Sequence, residues 1–147
     1  MATSERFMPV RPEDVWAALA RPESYGYWVV GSKEIRDVDP HWPAVGARFH
    51  HTIGLGPLKV ADHTESLECS PPQELVMRAK ARPLGTARVT MRLIARDGGT
   101  LVRMEENPDG PTAVLTFNPV VQLLTAGRNA ESLARLEELA LAEARRA

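Results

Sequence analysis

The chain is poor in several things that particular functions require. Its 147 residues include one cysteine, Cys69, so no disulfide can form within it. Cys69 sits beside Pro71-Pro72 with no base near it in sequence, and so carries no mark of a nucleophile. Aromatic residues make up 5% of the chain and the net charge is −1. That combination excludes a stacking platform for single strands and a basic face for duplexes, so no nucleic-acid partner is expected. No apolar run approaches the ~20 residues of a membrane span. The opening Met1-Ala2-Thr3-Ser4-Glu5-Arg6 lacks the apolar centre of a signal peptide. The expectation is a soluble, cytoplasmic protein. Cysteine and histidine do not fall at zinc-ligand spacing, and His50 and His51, adjacent on a strand, point to opposite faces. Gly54-Leu55-Gly56-Pro57 leads into a strand rather than a helix, so it is not a phosphate loop. Neither a metal nor a cofactor is expected.

What is present is an ordinary globular composition, 44% hydrophobic and 25% charged, in a length that suits one domain, 1–147, with a substantial core. Phe7 to Val10 reads as a short first strand. Arg11-Pro12-Glu13-Asp14 opens a helix, with proline and acidic residues in its first turn. Arg21-Pro22-Glu23-Ser24 opens a second helical piece that ends near Gly26. Six more strands follow: Glu34 to Val38, Ala47 to Ile53, Leu58 to Glu68, Glu74 to Ala81, Ala87 to Arg96 and Thr100 to Asn107. Asp97-Gly98-Gly99 is a hairpin signal between the last two. Alternation puts Leu75, Met77, Ala79 and Ala81 on one face of the fifth strand, Val89, Met91 and Leu93 on one face of the sixth, and Val102 and Met104 on one face of the seventh. One buried and one wet face suit a single antiparallel sheet covered by a helix.

That helix is the closing segment. Asn118 suits an N-cap and Pro119 a first turn. The run from Pro119 to Arg145 would span roughly 40 Å. Gln122, Thr125, Asn129, Leu133, Leu136 and Ala140 share one face. Leu133, Leu136 and Ala140 make that face apolar in the second half. Upstream there are two readings. In one, Gln122, Thr125 and Asn129 look into a ligand chamber, and Val120, Val121 and Leu124 form an outer partner surface or lid. In the other, the buried face changes near Gly127, and Val120, Leu123 and Leu124 join the core.

The order strand, two short helices, six strands and a long helix resembles the helix-grip fold, an α+β architecture in which a curved antiparallel sheet wraps a C-terminal helix. Arg11-Pro12-Glu13-Asp14-Val15-Trp16, Val45-Gly46-Ala47-Arg48-Phe49, Gly99-Thr100-Leu101-Val102 with Glu106, and Arg128-Asn129-Ala130-Glu131-Ser132-Leu133 are similar to local patterns of the START-like SRPBCC superfamily, in its polyketide cyclase/dehydrase branch. The resemblance implies a cavity between sheet and helix. It implies no shared catalytic motif, because the superfamily includes carriers, receptors, cyclases and chaperone co-factors.

Within such a cavity Glu106 is the informative acid, in phase with Val102 and Met104. It is either a proton donor or acceptor for a ligand, or a structural carboxylate held by loop amides or an arginine. His51 shares a face with Phe49 and Ile53 and is expected to point inward. The fourth strand is ambiguous: either His63 and Glu65 face in, or Asp62 and Thr64 do, and a bulge can switch the phase. Trp28 and Trp42 read as core packing or as part of the cavity mouth. The expected cavity residues are Phe49, His51, His63, Glu65, Met77, Met91, Met104, Glu106, Gln122, Thr125, Asn129 and Leu133, the methionines adapting to an irregular shape.

Three functions follow. The first is binding of a small, largely apolar molecule. The second is a cofactor-independent cyclase or dehydratase using Glu106 with His51 or His63 as acid and base. The third is a protein-interaction module using Val120, Val121 and Leu124. A homodimer is compatible with each.

Overall fold

The computed structural model describes residues 2–55, 57–82, 85–109 and 119–146. Strand β1 (Ala2–Met8) is followed by α1 (Pro12–Leu19), a single 3-10 turn at Pro22–Ser24 and α2 (Tyr25–Trp28). Six strands follow: β2 (Ser32–Val38), β3 (Arg48–Leu55), β4 (Leu58–Ser70), β5 (Glu74–Ala81), β6 (Gly85–Arg96) and β7 (Gly99–Asp109). Helix α3 (Pro119–Arg146) closes the chain. All seven strands form one curved antiparallel sheet in the order β1-β7-β6-β5-β4-β3-β2. The helix-grip arrangement expected of the sequence is present.

β1 begins five residues earlier than expected. It pairs with β7 from Ala2↔Glu106 to Met8↔Thr100. Its sequence lacks apolar alternation because its inner face meets helix α3 through charge: Arg6 donates to Glu137 at 2.8 Å. β7 runs two residues further than expected, through Pro108. Since β1 stops opposite Glu106, Pro108 lies beyond the last β1 pair, where a missing N–H costs no ladder bond on that side. Between β6 and β7, Asp97 (φ 49°) and Gly98 (φ 79°) both adopt the left-handed conformation that a two-residue hairpin requires.

The core is one cluster that reaches from the helices to the aromatic rings of Tyr25, Trp28 and Phe49. Val15 and Leu19 of α1, Leu75, Met91 and Val102 of the sheet, and Leu133, Leu136 and Ala140 of α3 are buried together. Helix α3 packs against α1, β1 and α2. Its side chains fasten it on both flanks: Ser132 Oγ accepts from the Val30 amide at 3.1 Å, Arg135 donates to the Tyr27 carbonyl at 3.2 Å, and Arg21 pairs with Glu143 at 2.8 Å.

The loop between β2 and β3 is tied down by Ser66. The Ser66 hydroxyl donates to the Pro43 carbonyl at 2.7 Å, its carbonyl accepts from Gly46, and its amide donates to Ala47. These bonds seat Trp42 against Phe49, with ring centroids 4.8 Å apart. Ser66→Ala is expected to destabilise the fold by about 1 kcal/mol, because the partly buried Pro43 carbonyl loses its donor; chemical denaturation measures this. Conversely, Gly127 is exposed in α3 and a Cβ there meets nothing within 4 Å. Gly127→Ala should raise the unfolding free energy by roughly 0.5–1 kcal/mol.

Candidate functional site

The site begins with helix ends and aromatic rings. Helix α1 terminates at Leu19, leaving a carbonyl without a helical partner. The Tyr25 hydroxyl donates to it at 2.8 Å and the Trp42 indole at 3.0 Å. Both rings are thereby fixed, and Trp28 and Phe49 pack on Tyr25 with centroids 4.9 and 4.8 Å away. Burial pushes the Tyr25 phenol well above its ordinary value, so it remains a hydrogen-bond donor. His51 extends this wall, 5.8 Å from Phe49.

Opposite the wall, the polar half of α3 faces the sheet. Asn129 and Ser132 are buried and Thr125 is half-buried, whereas Leu123 and Leu124 are 74% and 68% exposed. The inward face therefore continues unbroken through Gly127, and the reading in which Leu123 and Leu124 join the core does not hold. The side chains of Val120, Val121 and Gln122, and residue Asn118, lie outside the described residues.

Between wall, sheet and helix is a cavity of about 370 Å³, within the range of small-molecule sites. Of the expected residues, Phe49, His51, Met77, Met104, Glu106, Thr125 and Asn129 line it. Met91 and Leu133 share the inward phase but lie deeper, fully buried in the packed core.

His63 and Glu65 are placed on the other face of the sheet. β3 pairs His51 with Asp62 and Phe49 with Thr64, so Asp62 and Thr64 share the inward face, while His63 faces His50 and Glu65 faces Arg48. A bulge at Leu67 then shifts the phase: Ser66 lies opposite Met77, but Glu68 opposite Val76 and Cys69 opposite Leu75. Alternation alone does not say which phase is inner; the register with β3 does.

One ion pair lies in the cavity lining and a second on the sheet beside it. Glu106 meets Arg128 at 2.5 Å, and Arg128 Nε also donates to the Asn129 side-chain oxygen at 3.2 Å. The inward carboxylate is thus held by an arginine from the helix. Beside the cavity, outside its lining, Asp62 accepts from the Arg82 amide at 2.8 Å and from its guanidinium at 3.1 Å, closing the end of β5. Burial opposes the Asp62 charge, but the Arg82 bonds and the His63 amide outweigh it and bring its pKa to about 2. His51 Nε2 lies 3.0 Å from the Thr64 hydroxyl. Burial lowers the His51 pKa, keeping the ring neutral at neutral pH.

Arg128 was not among the expected cavity residues, and Trp28, read either as core packing or as part of the cavity mouth, is both buried in the core and part of the lining. Trp28 lies in a four-residue helix too short for periodicity to assign a face, and Arg128 is charged and mostly at the rim. Among the described residues no group of three or more His, Cys, Asp or Glu is placed to hold a metal ion, and no helix is long and apolar enough to cross a membrane.

A long helix gripped by one curved antiparallel sheet, with a cavity between them, defines the helix-grip class. The model of the polyketide cyclase/dehydrase and lipid transport family matches residues 2–140, and the chain belongs to that family. A crystallised Mesorhizobium loti protein is 24% identical, with 94% of each chain covered and a TM-score of 0.67. A Thermus thermophilus protein is 19% identical over 96% of this chain and 97% of its own, with a TM-score of 0.72. For a Rhodobacter sphaeroides protein the values are 21%, 95%, 91% and 0.72. These likenesses show the fold. Comparison with curated proteins finds no match.

The environments of His51, His63 and Asp62 predict a two-stage acid response. His51 and His63 have folded pKa values below their ordinary 6.5, both through burial first. The unfolded chain then binds more protons, so stability falls as pH drops below 6.5. Asp62, also depressed, contributes above 3.8 and loses that contribution as pH falls towards about 2. Unfolding free energy measured against pH should show both declines; His51→Gln should shrink the first and Asp62→Asn the second.

Proposed function

We propose that this protein binds a small, largely apolar molecule in the cavity between sheet and helix. The observation that carries this reading is the position of the cavity. It lies where the inward face of α3 changes from Leu133, Leu136 and Ala140 to Thr125 and Asn129, that is, where the helix stops packing on side chains of the sheet. Family membership supports the same reading at the level of ligand class, lipid or polyketide-like. Met77 and Met104 supply adaptable walls, and Tyr25, Trp28 and Phe49 supply an aromatic side of mutually tilted rings.

A proton-transfer enzyme is the second reading, and one observation favours it: His51 and Glu106 line the same cavity. His51, neutral through burial, would serve as the base. Glu106 would need release from Arg128 before acting as an acid. His63, on the outer face, takes no part.

Native mass spectrometry of freshly purified protein, with extraction of anything bound, tests the first reading. The expected result is a retained small apolar molecule or, for empty protein, saturable uptake of a hydrophobic dye. An empty protein that takes up neither dye nor lipid would refute it. Turnover of the extracted molecule that His51→Gln abolishes while binding persists would establish the second.

A further inference from the structure

Three buried polar atoms around the cavity have no partner in the protein: Trp28 Nε1, Asn129 Nδ2 and His51 Nδ1. Their residues are 1%, 1% and 3% exposed. A buried donor left unpaired is costly, and sequences rarely leave several around one space without use. The three are brought together by the fold. Val30, two residues after Trp28, donates its amide to Ser132, one turn beyond Asn129, and Tyr25 and Phe49 link Trp28 to His51 through a chain of tilted ring contacts.

Their chemistry is specific. The indole N–H and the amide NH₂ only donate. The Asn129 oxygen is already engaged by Arg128, which orients the NH₂ group. The neutral His51 either donates or accepts at Nδ1, according to which way the proton lies between Nε2 and Thr64. Of the two cations lining the cavity among the described residues, Arg128 is matched by Glu106, and Lys80 belongs to the outer phase of β5, where its charge acts on His63.

We propose that the ligand is a neutral ring compound carrying carbonyl or ether oxygens, selected over hydrocarbon of the same shape by hydrogen bonds from Trp28 and Asn129, with His51 adapting to a third oxygen or hydroxyl. A bare acyl chain or oxygen-free ring fills the same volume but leaves both donors stranded. This rests on the cavity reading above and adds the chemical class and two specificity-determining residues.

The test uses two probes of similar shape, flavone, which has a ketone and a ring oxygen, and 2-phenylnaphthalene, which has neither. Binding is followed by the indole N–H resonances of the tryptophans, with Trp28 identified through Trp28→Phe. Each donor bond contributes about tenfold in affinity. Flavone is expected to bind at least tenfold more tightly and to move the Trp28 indole proton downfield, with 2-phenylnaphthalene leaving that proton near its starting position. Asn129→Leu, which keeps the side-chain size, should reduce flavone affinity about tenfold, leave 2-phenylnaphthalene affinity equal or higher, and unfold no earlier than the parent. Equal binding of the two probes, or an Asn129→Leu protein that retains the preference, overturns the proposal while leaving the cavity reading intact. Binding of neither probe, in protein that also refuses hydrophobic dye, overturns both.

Discussion

The Leu19 carbonyl at the end of α1 is the point from which the site is built. A helix C-terminus must place its last carbonyls somewhere, and here two aromatic donors take one of them, Tyr25 at 2.8 Å and Trp42 at 3.0 Å. Tyr25 follows α1 by six residues and Trp42 by twenty-three, so one acceptor collects rings from two separate segments. Phe49 and Trp28 then pack on what has been collected, and His51 beyond them. Ser66, by holding the loop that carries Trp42, belongs to the same construction. The cavity wall is rigid because it is the capping arrangement of a helix.

Helix α3 has two halves with different duties. Leu133, Leu136 and Ala140 close the core; Thr125, Asn129 and Arg128 face or border the cavity. Between them runs a continuous inward face, so the boundary between core and chamber is a change in side-chain chemistry along one uninterrupted helix. The unpartnered nitrogens of Trp28 and Asn129 lie on the chamber side of that boundary. The packed core runs continuously into the cavity wall, and three unpartnered polar atoms border the cavity.

Much of this was legible in the sequence, and the failures have physical causes. The strands β5, β6 and β7 alternate cleanly because one face is buried and the other wet, and their inner faces read directly. Alternation reports a face but not its sign: on β4, Asp62 and Thr64 proved inner and His63 and Glu65 outer, which only pairing with β3 decides. It also reports a face without depth, so Met91 and Leu133 have the right phase yet sit in the packed core. The edge strand β1 hid its early residues because its inner face is completed by an ion pair with the helix. Glu106 was read as inward with two possible fates, and the cation that meets it, Arg128, comes from a helix whose phase is fixed by other residues.

The placement of the cavity beside a complete core has a thermodynamic meaning. A half-open, largely apolar cavity forfeits the dispersion contacts that atoms within it would make, so an occupant supplies contacts that the interior lacks. By mass action, a molecule present at a hundred times its dissociation constant adds about 2.7 kcal/mol to the folded state. That is a sizeable fraction of what a domain of this size possesses. For a protein that binds in this cavity as proposed, the melting temperature gauges occupancy, and abundance in a cell that degrades unfolded chains tracks the supply of the bound molecule.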